Sequence, residues 1–137
     1  MRTRWSGALA LAGVLTVSCG GIISPSNNQV DTFNGTVTRG GISPGFAFTV
    51  AKTGEFTVKI TALSPNSSAV TTVFYGTAQG DGSCSSNTPA YQQNSFVLLN
   101  APALSGQIFS GRYCVFVWDA AASLTATTTF TLTVSHP

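Results

Sequence analysis

Charge is the scarcest property of this chain: 7% of its 137 residues are charged, against roughly 25% in ordinary soluble domains. That composition argues against a charge-driven disordered tail and against an acidic or basic partner surface. The sequence has no arginine cluster, so nucleic acid is not expected as a partner. Histidine is almost missing as well. The single one, His136, is the penultimate residue and reads as a surface group on a frayed C-terminus. Nucleophilic catalysis requires a base held beside a nucleophile, which a lone terminal histidine does not supply. The four carboxylates, Asp31, Glu55, Asp81 and Asp119, fall in four separate segments. A converging pair at the about 5–9.5 Å of glycoside hydrolysis is therefore not expected. No catalytic residue, cofactor or metal follows from this inventory.

Two further absences shape the reading. No window beyond the first twenty residues carries a helical stripe. The longest apolar stretch, Ala8 to Val17, spans ten residues, half of the about 20 that cross a bilayer as a helix. With Arg2 and Arg4 before it, that stretch has the form of an export signal. It ends Leu15-Thr16-Val17-Ser18-Cys19-Gly20, which resembles the lipobox of bacterial lipoproteins, with Leu15 one place earlier than usual. The resemblance implies a signal peptide over 1–18 and acylation of Cys19, so that the protein meets the membrane through an N-terminal lipid anchor. Gly20 rather than aspartate after the cysteine fits the outer membrane or cell surface. Ordinary signal cleavage, giving a soluble secreted protein, is the alternative. Residues 19–29 read as a short tether. Without the signal, Arg39, Lys52, Lys59 and Arg112 balance the four carboxylates.

Cysteine is limited to three. With Cys19 taken by lipid, Cys84 and Cys114 remain as a pair in an oxidising compartment. Their disulfide would close a loop of thirty residues and contribute about 3–4 kcal/mol in the chain-entropy model. A two-cysteine metal site is the weaker alternative.

What the sequence does hold is strand vocabulary, rich in Thr, Ser, Gly, Val and Phe. Phe46, Phe48 and Val50 alternate, Lys52-Thr53-Gly54 turns, and Phe56, Val58 and Ile60 alternate again. These two runs read as a hairpin. Val70 to Thr77 follows as a strand, then a polar segment, then a short apolar strand over Ser95–Leu99. Phe130, Leu132 and Val134 close the chain in strict alternation. Seven or eight antiparallel strands over 30–137 give an all-β, jelly-roll-like sandwich. Gly111 to Asp119 is apolar on both faces and is expected at the centre of a sheet.

The run Phe46-x-Phe48-x-Val50-x3-Gly54-x-Phe56-x-Val58-x-Ile60 resembles the start of the bacterial pre-peptidase C-terminal domain. The ending Gly111-x-Tyr113-Cys114-Val115-x-Val117, then Phe130-Thr131-Leu132-Thr133-Val134, is similar to its close. The resemblance covers 30–137 and implies a small jelly-roll sandwich with an accessory role, assisting secretion or binding substrate. The Asp/Glu-rich calcium segments of its collagenase members are absent. Gln79-Gly80-Asp81-Gly82-Ser83 has the look of a calcium loop but offers one carboxylate, where calcium takes six to eight oxygens. A surface turn is the preferred reading, with a site completed by Asp119 as the alternative; Asp119 otherwise caps the turn after its strand.

The aromatics carry the functional reading. If Tyr113, Val115 and Val117 face the core, Phe116 and Trp118 lie on the opposite face with Cys114. They are either buried under the disulfide loop or exposed beside Tyr91, where they could stack on sugar rings or receive an apolar partner. The expected function is a non-catalytic binding or accessory module of the cell envelope, with polysaccharide or protein as partner. A structural envelope subunit making contacts through sheet edges is the alternative, and an enzyme ranks third.

Overall fold

A computed structural model describes residues 27–69, 71–85 and 92–137. Cys19, the export segment and Tyr91 lie outside the described residues. The chain is all-β. Its strands are β1 (Gln29–Val37), β2 (Phe46–Val50), β3 (Gly54–Ser64), β4 (Thr71–Ala78), β5 (Cys84–Ser85), β6 (Gln92–Val97), β7 (Pro102–Ile108), β8 (Gly111–Trp118) and β9 (Thr128–His136).

They form two antiparallel sheets. Sheet I has the order β1-β9-β3-β7; sheet II has β2-β8-β4, with β5 and β6 both pairing β4. Leaving out the two-residue β5, the eight full strands run first-eighth-third-sixth in one sheet and second-seventh-fourth-fifth in the other. That order is a jelly roll. β8 lies between β2 and β4, the central position its two apolar faces require.

The strands fold as they do because each carries one apolar stripe at period two. On β9 the stripe is Phe130, Leu132 and Val134, all buried; on β3 it is Phe56, Val58 and Ile60. Sheet II answers with Phe48, Val50, Val73, Tyr75, Val115 and Val117. Aromatic contacts join the sheets: Phe56 meets Tyr75 at 5.0 Å and Phe46 meets Phe130 at 6.0 Å between ring centroids.

Two expectations are corrected. β2 and β3 are not a hairpin, because β2 pairs β8 and β3 pairs β9 and β7. Residues 51–53 instead carry the chain from one sheet to the other, so both Phe/Val stripes reach one core from opposite sides. Alternation reports which face is buried, not which strand lies alongside. The apolar run Ser95–Leu99 is likewise not one short strand. β6 ends at Val97, and Phe96 and Leu98 are exposed. The register shifts between Thr71 and Val73, and the Asn94 Oδ1 accepts the Phe96 N–H at 2.9 Å; this bulge turns the run out of alternation.

The register also defines two ends of the sandwich. Gln29 pairs His136, Gly54 pairs Ile108 and Val50 pairs Gly111, so the chain enters β1 at the end that holds turns 51–53 and 109–110. Trp118, Asp119 and the 38–43 segment lie at the other, which we call the far end.

Gly35 lies under two aromatic rings. A Cβ there would lie 2.7 Å from Phe130 Cζ and 2.9 Å from Phe46 Cζ, inside van der Waals contact. Gly35→Ala should force both rings aside and lower stability by about 1–3 kcal/mol, read as a lower urea midpoint with unchanged slope.

Candidate binding surface

β8 presents two different faces. Tyr113, Val115 and Val117 are buried in the core between the sheets. Cys114, Phe116 and Trp118 point the other way, onto the outer face of sheet II.

Cys84 and Cys114 are disulfide-bonded, with Cα atoms 5.8 Å apart. Their strands flank β4 on opposite sides, and strands two places apart in a flat sheet are separated by about 9.5 Å. β5 therefore curls over the outer face to reach Cys114. Gly45 makes room for it: a Cβ there would be 2.9 Å from the Cys84 sulfur. This arm covers Cys114, which is fully buried, while Phe116 and Trp118 are only partly buried.

The two aromatics stack on Phe74 of β4, which is itself buried. Phe74 and Phe116 are parallel at 4.8 Å, and Phe74 and Trp118 are tilted at 5.6 Å. Trp118 Nε1–H donates a long bond of 3.4 Å to the Gly40 carbonyl. The face is thus neither a closed satellite core nor a bare platform. It is a stack with a buried floor and a half-open rim.

The far end of β8 is fixed by a polar clamp. Ser43 N–H donates to the Val117 carbonyl at 2.8 Å, and Val117 N–H donates to Ser43 Oγ at 3.0 Å. Asp119 is 1% exposed. Its carboxylate accepts from Gly40 N–H, Ser123 N–H, Ser123 Oγ and Leu124 N–H at 2.9–3.1 Å. It caps the turn after its strand, as expected, and also ties the 38–41 turn to β8. The clamp brings Ile42 into a bridge with Trp118, and residues opposite each other share a face. On the other side of Trp118 comes Thr72, and opposite Thr72 the bulge that carries Ser95 and Phe96. Ile42 is 60% exposed and Phe96 80% exposed.

Ile42 and Phe96 escaped the sequence reading. Ile42 follows the Arg39-Gly40-Gly41 break as an isolated apolar residue, and Phe96 was hidden by a bulge that no alternation reveals. The same segment spells Gly41-Ile42-Ser43-Pro44-Gly45, the Gly-x-Ser-x-Gly form of a nucleophile elbow, which the sequence reading passes over. Its context does not fit. A strand rather than a helix follows, and Ser43 is buried with its hydroxyl spent on Val117 N–H and the Pro44 carbonyl.

His136 is a correction. It is not a frayed surface group but 1% exposed, at the inward parity of β9, with its ring 5.2 Å from Phe48. Its Nε2 lies 3.0 Å from Asp31 Oδ2, and Gln29 Nε2 donates to Asp31 Oδ1 at 2.7 Å. Burial pushes the Asp31 carboxyl up, but the His136 and Gln29 hydrogen bonds outweigh it and leave it below the ordinary carboxylate value. The other ring nitrogen faces the Pro137 oxygen at 3.3 Å, where a triad would place a nucleophile. Ser43 stands beside Val117, four residues along β8 from Tyr113, whose cross-strand partner is Phe48; that is about 13 Å of strand. The acid–base pair closes one end of the sandwich.

Asp81 makes a local turn, accepting from Ser83 N–H at 2.9 Å and Ser83 Oγ at 2.7 Å. Asp119 has no part in that loop. Among the described residues, no group of three or more His, Cys, Asp or Glu could hold a metal ion.

No protein-family model and no curated protein matches the chain. Among solved structures, PliG of Aeromonas hydrophila, a periplasmic inhibitor of g-type lysozyme, is similar at TM-score 0.42 and 17% identity. The match covers 80% of this chain and 88% of that one. At that distance the likeness carries no argument about ligand or activity.

Asp119 gives the site a pH signature. Burial alone would raise its carboxyl; the N–H donors of Gly40, Leu124 and Ser123 and the Ser123 hydroxyl outweigh burial and lower it from 3.8. A folded-state value below the unfolded one adds stability that is complete above the unfolded value and lost as pH falls through the folded one. Asp119→Asn turns an amide N–H₂ toward N–H donors and should cost about 1–3 kcal/mol at pH 7. Urea unfolding should also show a shallower loss of stability for the variant than for wild type below pH 4.

Proposed function

We propose that this chain is a non-catalytic, lipid-anchored module of the bacterial cell envelope, of pre-peptidase C-terminal type, whose outer sheet II face binds a neutral polysaccharide. The observation that carries the reading is the far end of that face. Ile42 and Phe96 are exposed on either side of the stack formed by Phe116, Phe74 and Trp118, and exposed apolar side chains clustered within one patch mark interaction surfaces. The rim beside Phe96 is neutral. Gln92, Gln93, Asn94, Ser95 and Ser105 line the groove between β6 and β7, and amides and hydroxyls next to an aromatic ring suit sugar hydroxyls and the apolar face of a pyranose.

Two carboxylates that could have served as catalytic acids are committed elsewhere, Asp119 to four donors and Asp31 to His136 and Gln29. This supports a binding rather than a hydrolytic role. The jelly-roll strand order supports the family resemblance.

A structural subunit assembling through sheet edges is less well supported, because each edge is blunted. β1 points Asp31 inward; β7 carries Pro102 and a register shift; β6 is bulged; β2 has five residues and follows Pro44-Gly45. These are the devices that keep edges from pairing.

An array of neutral glycans and envelope proteins, probed with the exported protein, tests the proposal. Retention on a neutral glycan should weaken by about tenfold, roughly 1.4 kcal/mol, in both Trp118→Ala and Phe96→Ala. Binding that ignores both substitutions, or retention on proteins only, would contradict it.

A further inference from the structure

The end opposite the aromatic rim has features of its own. The chain enters β1 there, and Asn28 Nδ2–H donates to the Glu55 carbonyl at 2.9 Å, which fixes the entry point beside turn 51–53. From Cys19 to Gln29 there are ten residues, a reach of at most about 35 Å fully extended. At the same end, the turn between β7 and β8 presents Phe109, 62% exposed. Its backbone is pinned from inside: the Tyr113 hydroxyl, at the end of a buried ring, donates to the Phe109 carbonyl at 2.9 Å. A large aromatic side chain is thus held outward on a fixed turn. Lys52 on the neighbouring turn is exposed as well. The acids of this end are Asp31, held by His136 and Gln29, Glu55, partly buried, and Asp81, engaged by Ser83.

We infer that this end is a membrane-facing surface, on which Phe109 inserts at the headgroup level of the lipid bilayer with Lys52 beside the phosphates. The inference rests on the lipid-anchored reading. A phenylalanine and one lysine are weak as a free membrane ligand, but a short tether raises the effective concentration of the surface and makes a weak contact persistent. Phenylalanine is among the apolar side chains by which interfacial segments bury themselves at the headgroup/acyl boundary. Docking by this end orients the domain. The Ile42–Trp118–Phe96 rim, at the opposite end, then faces away from the membrane and toward any partner.

The test is amide hydrogen exchange of the full chain, produced in a bacterial host that acylates lipoproteins and reconstituted into phosphatidylethanolamine/phosphatidylglycerol vesicles. The mass of the N-terminal peptide reports acylation of Cys19 independently. Turns 51–53 and 109–111 should slow severalfold on vesicles, residues 120–127 at the far end should not change, and Phe109→Ser should abolish the slowing while the protein stays vesicle-bound. Vesicle-bound, acylated protein with unprotected turns would overturn the membrane-facing surface and leave the anchor standing. Protein without acyl groups that still protects these turns would keep the surface and remove the anchor. Protein with neither acylation nor protection would overturn both.

Discussion

Strand β8 has to be covered on both of its faces, and the two covers are of different kinds. Sheet I closes over Tyr113, Val115 and Val117 as one half of an ordinary sandwich core. Among the described residues the outer face has no third layer. It has an arm of two residues, β5, drawn over Cys114 by the disulfide, and one buried ring, Phe74, beneath Phe116 and Trp118. Partial cover is what leaves the rim half open. The disulfide adds a covalent tie to the two residue pairs that join β5 to β4.

The buried titratable side chains among the described residues, Asp119 and His136, sit at the two ends of the sandwich. Asp119 satisfies four donors in the turns flanking the far end of β8. Asp31, Gln29 and His136 close the opposite end. With so few charged residues available, each buried one has a structural partner, as the cost of burying an unpaired charge demands. This division leaves the outer face of sheet II apolar and amide-lined, and the two ends chemically distinct.

Much of the fold could be read in the residues. The alternation of Phe56–Ile60 and Phe130–Val134 marked buried stripes, the two apolar faces of β8 marked a central strand, and the disulfide followed from counting cysteines. The pairing of β2 with β8 could not be read, because alternation carries no information about the neighbour. Phe96 was misplaced because a bulge breaks parity without leaving a trace in composition. His136 and Asp31 were legible in principle. His136 continues the inward parity of Phe130, Leu132 and Val134, and Asp31 continues that of Phe33, Gly35 and Val37. Position at the chain end weighed more than parity, and wrongly. Of the candidate site, Trp118 and Phe116 fell on the outer face as their parity required. Their half-open state depends on what packs over the outer face, which is a property of the folded chain.

The half-open rim is the centre of the account, and Trp118 reports on it directly. The chain has two tryptophans; Trp5 falls within the export segment 1–18, and Trp5→Phe makes Trp118 the sole tryptophan emitter whether or not that segment is removed. Acrylamide quenching of its fluorescence in the native protein should be intermediate between that of the urea-unfolded chain and that of a fully buried indole. Quenching as weak as a fully buried indole would mean that the stack is closed in solution, and would contradict the account.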